Sequence, residues 1–348
     1  MNGVLAFCRP GFEPELAAEL TERSAAAGLA GYARTERGSG LVQFVGDDHA
    51  ALARALPWRA LIFARQVLAQ LADLPALDPQ DRITPLLAAL GESSARRCYG
   101  QLIVEHSDAD AAKPLASLAR SLGNALRQVL RKRGWLSASD DATLPRLHVV
   151  LIAGDHLLLA EGDPAGSPDW PGGIPRLRML RDAPSRSALK LEEALQVLLT
   201  PAERERWLKP GMRAADLGAA PGGWSWVLAR AHLRVTAIDN GPLADTALAT
   251  GLIEHLRADG FRWQPNTPLD WLVCDMVEQP ARVAERMATW FREGWCRRAI
   301  FNLKLPMKKR WQETRHCLEL FASEAARPLE IRAKQLYHDR EEITVYAG

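Results

Sequence analysis

Residues 216–224 read DLGAAPGGW, directly after an apolar run and directly before a helical one. Glycine at such a turn lets the backbone approach a ligand closely at the C-terminal edge of a first strand. The spacing is G-x-x-x-G-G, unlike the G-x-G-x-x-G of dinucleotide folds, and no lysine follows to hold a β/γ-phosphate. NAD and ATP are poor candidates for that reason. Gly218, Gly222 and Gly223, with Ala220 and Pro221 between them, suit a nucleoside carrying an amino-acid tail. Asp239 ends the next expected strand in TAIDN, about twenty residues further on, where a carboxylate can accept from ribose hydroxyls. Asp259, in ADGF, is expected just before the third strand, where it either accepts from an adenine amino group or closes an exposed turn.

Such a turn needs a parallel sheet behind it, and the chain alternates accordingly. Helices are expected at 189–199, 224–231, 243–248 and 281–292, and strands at 214–217, 235–239, 271–275 and 299–303. The last two strands, 331–336 and 343–346, are joined through HDREE with no helix between them, so they must pair antiparallel. The fold class expected is α/β. It is a Rossmann-like, doubly wound and mostly parallel sheet closed by an antiparallel hairpin, the shape of a methyltransferase domain.

Upstream, residues 162–186 mix glycine, proline and arginine without an apolar period and read as an extended linker. Before it, strands at 4–7, 41–45 and 61–67 alternate with helices at 13–26 and from about 48, the pattern of a small α+β, ferredoxin-like unit. A second group follows, with helices at 85–90 and 114–133 and strands at 101–105, 147–153 and 156–160. Periodicity leaves open whether these are one domain or two. The boundaries drawn are 1–70, 71–161, a linker 162–181, and 182–348.

Composition excludes several classes. No apolar run is long enough to span a bilayer, since 147–160 is broken by His148, Asp155 and His156. Arg9, Glu13 and Glu15 stand where a secretory signal needs apolar residues, so a cytoplasmic protein is expected. Five scattered cysteines with no C-x-x-C pair fit reduced thiols, with neither disulfides nor a metal site. A net charge of +2 is too mild to mark nucleic-acid binding by itself. RNA contacts would have to come from local sets: Arg127 with Arg131, Lys132 and Arg133; Arg176, Arg178, Arg181 and Arg186; and Lys308, Lys309 and Arg310. Each set also has a plain reading as a solvated surface.

The glycine turn, SRSALKLE at 185–192, CDM at 274–276, NLK at 302–304 and REE at 340–342 together resemble the heat-shock-type RNA 2′-O-methyltransferase family. From CRPGFE near the start to QLYHDREE near the end, the whole chain is similar to the branch that methylates a cytidine of 23S rRNA. The resemblance implies S-adenosylmethionine as cofactor, 23S rRNA or its precursor as partner, and a THUMP-type RNA-binding domain after the ferredoxin-like unit. It also implies a tetrad of Lys190, Asp275, Lys304 and Glu342, with Ser187 and Asp275 added to the cofactor contacts. Ser187 has an equal reading as a helix N-cap.

Methyl transfer from a sulfonium to a ribose oxygen needs in-line approach and a proton acceptor. Lys304 can take that part if burial and a neighbouring cation, Lys190, lower its pKa. Glu341 and Glu342 alternate across a strand, so only one can join the tetrad, and Glu342 is the choice. The chain reads DMVE after the fourth strand, where base N-methyltransferases carry N/D-P-P-Y/F/W. Cys274, the cysteine nearest the turn, lies inside an apolar strand and reads as a buried inert thiol, not a carbon-5 nucleophile. A non-catalytic rRNA-binding assembly factor remains the alternative. The sequence leaves oligomeric state open, with a monomer the default.

Overall fold

Apolar alternation and apolar runs assemble two seven-stranded sheets, one in each of two units, Met1–Ile174 and Pro175–Gly348. The computed structural model describes residues 3–92 and 98–348. Among these, no helix is long and apolar enough to cross a membrane.

The first unit contains β1 (Gly3–Phe7), α1 (Glu13–Ala26), β2 (Tyr32–Thr35), β3 (Leu41–Val45), α2 (His49–Ala55), β4 (Gln66–Leu74), α3 (Ile83–Glu92), β5 (Gln101–His106), α4 (Ala116–Lys132), β6 (Arg146–Ala153) and β7 (His156–Gly162). Its sheet runs β2-β3-β1-β4-β7-β6-β5. β4 pairs antiparallel with β7, so the ferredoxin-like part and the segment after it share one continuous sheet. Residues 163–174 pack onto this unit: Arg146 reaches the carbonyls of Ser167 and Pro168, each at 3.2 Å, and Ile174 is buried.

The strand expected at 61–67 is corrected. Residues 61–65 form no strand and β4 starts at Gln66, because the buried Glu19 carboxylate of α1 takes the N–H groups of Ile62 at 2.7 Å and Phe63 at 3.0 Å. Those donors are then unavailable to a ladder. β2 escaped the sequence because YART lies on an exposed edge without an apolar face.

The second unit contains α5 (Ala188–Val197), α6 (Pro201–Trp207), β8 (Arg213–Leu217), α7 (Gly223–Arg230), β9 (Arg234–Ile238), α8 (Asp245–Leu248), β10 (Ile253–Leu256), β11 (Leu269–Cys274), α9 (Pro280–Arg292), β12 (Cys296–Lys304), α10 (Arg310–Glu324), β13 (Ile331–Lys334) and β14 (Glu342–Ala347). The order is β10-β9-β8-β11-β12-β14-β13. The first five strands are parallel. β14 inserts between β12 and β13 and is antiparallel to both; its pairing with β13 is the one that the missing helix between the last two strands required. Chain order reverses between β8 and β11, which opens a crevice at their C-terminal ends.

Asp259 is a second correction, because the third strand, β10, ends at Leu256 and Asp259 follows it. IEHL is a short, half-exposed edge strand with no alternation to read.

Glu19→Leu should strand the Ile62 and Phe63 amides. Urea unfolding of the full chain should show a loss of about 2–5 kcal/mol in the transition of the first unit, and a smaller loss for Glu19→Gln, which keeps an acceptor.

Candidate active site

Lys304 ends β12, and the antiparallel register places Glu342, the first residue of β14, directly opposite it. Asp275 lies one residue beyond β11, the neighbouring strand. Lys190 enters from the first turn of α5. The four side chains meet. Lys304 Nζ lies 3.0 Å from Asp275 Oδ1 and also pairs with Glu342 Oε2. Lys190 Nζ lies 3.2 Å from Asp275 Oδ2 and 2.6 Å from Glu342 Oε1. Each ammonium therefore bridges both carboxylates.

The choice between the adjacent glutamates is decided by side-chain direction. Glu342 is buried within the cluster, whereas Glu341 precedes the strand and pairs with Arg310 at 2.6 Å. That pairing also takes Arg310 out of the basic set with Lys308 and Lys309.

The expected lowering of the Lys304 pKa is corrected. Burial does pull it down, but Asp275 and then Glu342 push it up and prevail, leaving it above the ordinary lysine value. Two carboxylates at contact distance outweigh the burial of the ammonium.

The glycine turn joins β8 to α7 at the crevice. Gly218 and Gly222 have φ of 76° and 106°, which side chains rarely adopt. A Cβ on Gly218 would come within 2.6 Å of Met276 Cγ, and one on Gly222 within 2.8 Å of Ala247 Cβ. A Cβ on Gly223 would strike Ser187 Oγ. The glycines are thus required by the protein's own packing around the turn, a different reason from room for a ligand. Ser187 sits at the N-cap position of α5 but makes no capping bond. Its hydroxyl shares a 2.6 Å hydrogen bond with Ser185, and its carbonyl accepts the Trp224 indole N–H at 2.9 Å, which ties α5 to the turn.

Asp239 follows β9 and accepts from Ala220 N at 3.0 Å and Gly241 N at 2.7 Å. A carboxylate has about four lone-pair sites, so two remain for ribose hydroxyls. The Pro221 carbonyl accepts Ala244 N–H at 2.9 Å and fixes the far side of the turn. Asp259 is exposed and serves its own turn, taking Phe261 N–H at 2.8 Å and facing Arg262 at 3.5 Å. An uncapped helix start at Gly222, a glycine turn without side chains and an acid at the next strand end fit the carboxylate and nucleoside of S-adenosylmethionine.

Several residues here went unread in the sequence. Asp216 is buried and accepts the Ser225 hydroxyl at 2.7 Å; burial pushes its carboxyl up to about 7. Glu193, one helical turn after Lys190, accepts the N–H groups of Tyr337 at 2.8 Å and His338 at 2.9 Å, holding the β13–β14 loop against α5. Asn302 and Thr344 face each other two residues behind Lys304 and Glu342. N-x-K and E-x-T, each with a polar residue two positions from a tetrad member, were the available signal. Cys274 is fully buried, and burial pushes its thiol up to about 12, as an inert thiol requires.

Beside the cluster opens a cleft of about 910 Å³ whose lining includes Lys190, Lys304, Arg186, Arg340, Met179 and Val277. Arg176, Arg178, Arg181 and Arg186 are exposed. The Arg127 set is partly committed elsewhere: Arg127 reaches the Leu102 carbonyl at 3.3 Å, Arg131 that of Ser137 at 3.1 Å, and Arg133 covers the Trp135 ring.

Family models match about three quarters of the chain in order, up to residue 294. One described as the RlmM ferredoxin-like domain matches residues 1–68. One described as the N-terminal part of ribosomal RNA large subunit methyltransferase M matches 81–161. An FtsJ-like methyltransferase model matches 183–294. Curated relatives named ribosomal RNA large subunit methyltransferase M are similar over their whole length. That from Xanthomonas campestris pv. campestris is 67% identical over 100% of this chain and 99% of its own. Those from Xanthomonas axonopodis pv. citri and Xanthomonas oryzae pv. oryzae are each 66% identical with the same coverage. Identity at that level from end to end means that the chain belongs to the ribosomal RNA large subunit methyltransferase M family.

Proposed function

We propose that the cleft methylates the ribose 2′-oxygen of a cytidine in 23S rRNA or its precursor, with Lys304 as proton acceptor. Membership of the family makes the chain an S-adenosylmethionine-dependent rRNA methyltransferase; the proposal adds the atom, the nucleotide and the residue roles. The observation that carries it is the convergence of Lys190, Asp275, Lys304 and Glu342, of which Lys190, Lys304 and Glu342 line one cleft.

S-adenosylmethionine, held by the glycine turn and Asp239, would supply an electrophilic methyl group on a sulfonium, with a neutral thioether as leaving group. Lys304 takes the 2′-hydroxyl proton while the oxygen forms its bond to the methyl carbon. Asp275 adjoins Met276, against which Gly218 packs, so it links the cofactor turn to the reacting oxygen. Glu342 and Lys190 hold Lys304 and the hydroxyl in line. Ser187, Gly218, Ala220, Pro221, Gly222, Gly223, Asp239, Asp259 and Asp275 form the cofactor side. Arg186 and Arg340 at the cleft suit the phosphates of the strand.

The same proposal assigns residues 1–70 and a THUMP-type domain at 71–161 to positioning rRNA, with the segment 162–181 connecting them to the catalytic domain 182–348. It also assigns the protein to the cytoplasm, where that RNA is made.

Gly222→Val meets both Ala247 and an unfavourable backbone angle, so titration calorimetry with S-adenosylmethionine should show binding abolished. Unchanged affinity would remove the turn from the cofactor site.

Lys304→Ala should keep cofactor affinity and lose about 10²–10⁴-fold in turnover. Because the base must be neutral and its pKa lies above the ordinary lysine value, the wild-type rate should climb about tenfold per unit between about pH 7 and pH 9. A flat profile, or a methyl group mapped to the base, would exclude this role.

A truncated chain of residues 175–348 should bind cofactor and lose most activity on rRNA, while the full chain shows salt-dependent RNA binding. Full activity of the truncated chain would deny the first unit a positioning role.

A further inference from the structure

Behind the charged cluster lies a second row of polar groups, from the β12–β14 ladder and the loop before β14. Asn302, Thr344 and Asp339 are all fully buried. Asn302 Nδ2 donates to Asp275 Oδ1 at 2.9 Å. Asn302 Oδ1 lies 2.8 Å from Thr344 Oγ1, which lies 3.2 and 3.0 Å from Asp339 Oδ1 and Oδ2. Asp339 Oδ2 also accepts Leu336 N–H at 2.9 Å.

Counting protons gives this row a direction. Asp275, between two ammonium groups, is a carboxylate and only accepts, so Asn302 must turn its NH₂ toward it and its carbonyl oxygen toward Thr344. Thr344 has one hydroxyl proton, and the shorter contact, to Asn302 Oδ1, needs it; otherwise two oxygens would face each other lone pair to lone pair. The contact between Thr344 and Asp339 then requires a proton from the carboxyl, carried on Oδ1 while Oδ2 takes the Leu336 amide.

We propose that Asp339 is a neutral carboxylic acid heading a one-way hydrogen-bond chain, Asp339 to Thr344 to Asn302 to Asp275, that fixes the orientation in which Asp275 meets Lys304 and Lys190. Asp339 and Thr344 are thereby positioning residues, and the catalytic part of the inference rests on the proposed function of the cluster. The surroundings agree. Burial first, then the charges of Glu342 and Glu193, hold the Asp339 carboxyl well above the usual carboxylate range, and Lys190 only partly offsets them. The other charged groups near it are Lys334, the partner of Thr344 on β13, and His338 and Arg340 on either side in the chain.

The full chain tests this through turnover on rRNA, cofactor titration and thermal unfolding against pH. Asp339→Asn keeps a donor toward Thr344 and an acceptor for Leu336, so turnover and cofactor affinity should stay within about threefold of wild type. Thr344→Val breaks the chain and should lower kcat about 10- to 100-fold with KM for RNA and cofactor affinity unchanged, and Thr344→Ser should restore it.

Unfolding gives an independent reading. A carboxyl whose folded pKa lies above its unfolded value binds more protons when folded, so wild-type stability falls as pH rises through and above the ordinary carboxylate range. Asp339→Asn removes that loss, and its Tm should gain on wild type as pH rises from about 4 to about 8. Loss of stability in Asp339→Asn at pH 8, the result for an ionised Asp339 matched to Lys334, would overturn the neutral acid. Wild-type kcat in Thr344→Val would overturn the positioning role. Neither outcome depends on whether Lys304→Ala retains turnover, which tests the cluster itself.

Discussion

The register between β12 and β14 is the constraint on which the site depends. Six consecutive pairs, from Ala299 opposite Ala347 to Lys304 opposite Glu342, bring the last residue of one strand against the first of the other. Side chains alternate with period two, so a slip of one residue would send Lys304 and Asn302 to one face and Glu342 and Thr344 to the other. The buried apolar pairs Phe301–Val345 and Leu303–Ile343 oppose any such slip, because it would move Ile343 and Val345 off the face they share with Phe301 and Leu303. A cross-strand ion pair is thus held by hydrophobic packing that has no chemistry of its own.

Upon that ladder the other two members arrive by different routes. Asp275 comes from the next parallel strand, and Lys190 from α5, whose start is tied to the glycine turn through Ser187 and Trp224. Two ammonium groups then share two carboxylates, which matches one buried charge, Glu342, and three half-buried ones that would each be costly alone. The same matching favours the charged form of Lys304, so a role as base would have to act against Asp275 and Glu342.

Each unit shows one carboxylate controlling backbone at a critical bend. Glu19 ends the approach to β4 by capturing two amides, and Glu193 captures two amides of the loop that leads into β14. Buried acids that accept backbone N–H groups act as fixed geometric stops, since an unpaired amide in the interior is more costly than a constrained loop.

The sequence by itself determined whatever rests on local spacing. The strand, glycine turn and helix at 213–230, the acid after the next strand, the antiparallel end and the inert Cys274 were legible because each depends on period, turn chemistry or an apolar run within a few residues. The tetrad residues were legible only through family resemblance, since no local rule joins positions 190, 275, 304 and 342. Tertiary structure decided that Glu342 and not Glu341 faces them, that Asp259 follows its strand, that residues 61–65 leave theirs, and that the charged form of Lys304 is favoured. It also decided the chain from Asp339 through Thr344 and Asn302. The physical reason is common to all of these: a side chain's partner and protonation are set by atoms brought close by sheet register and helix packing, at sequence separations where the chain carries no periodic signal.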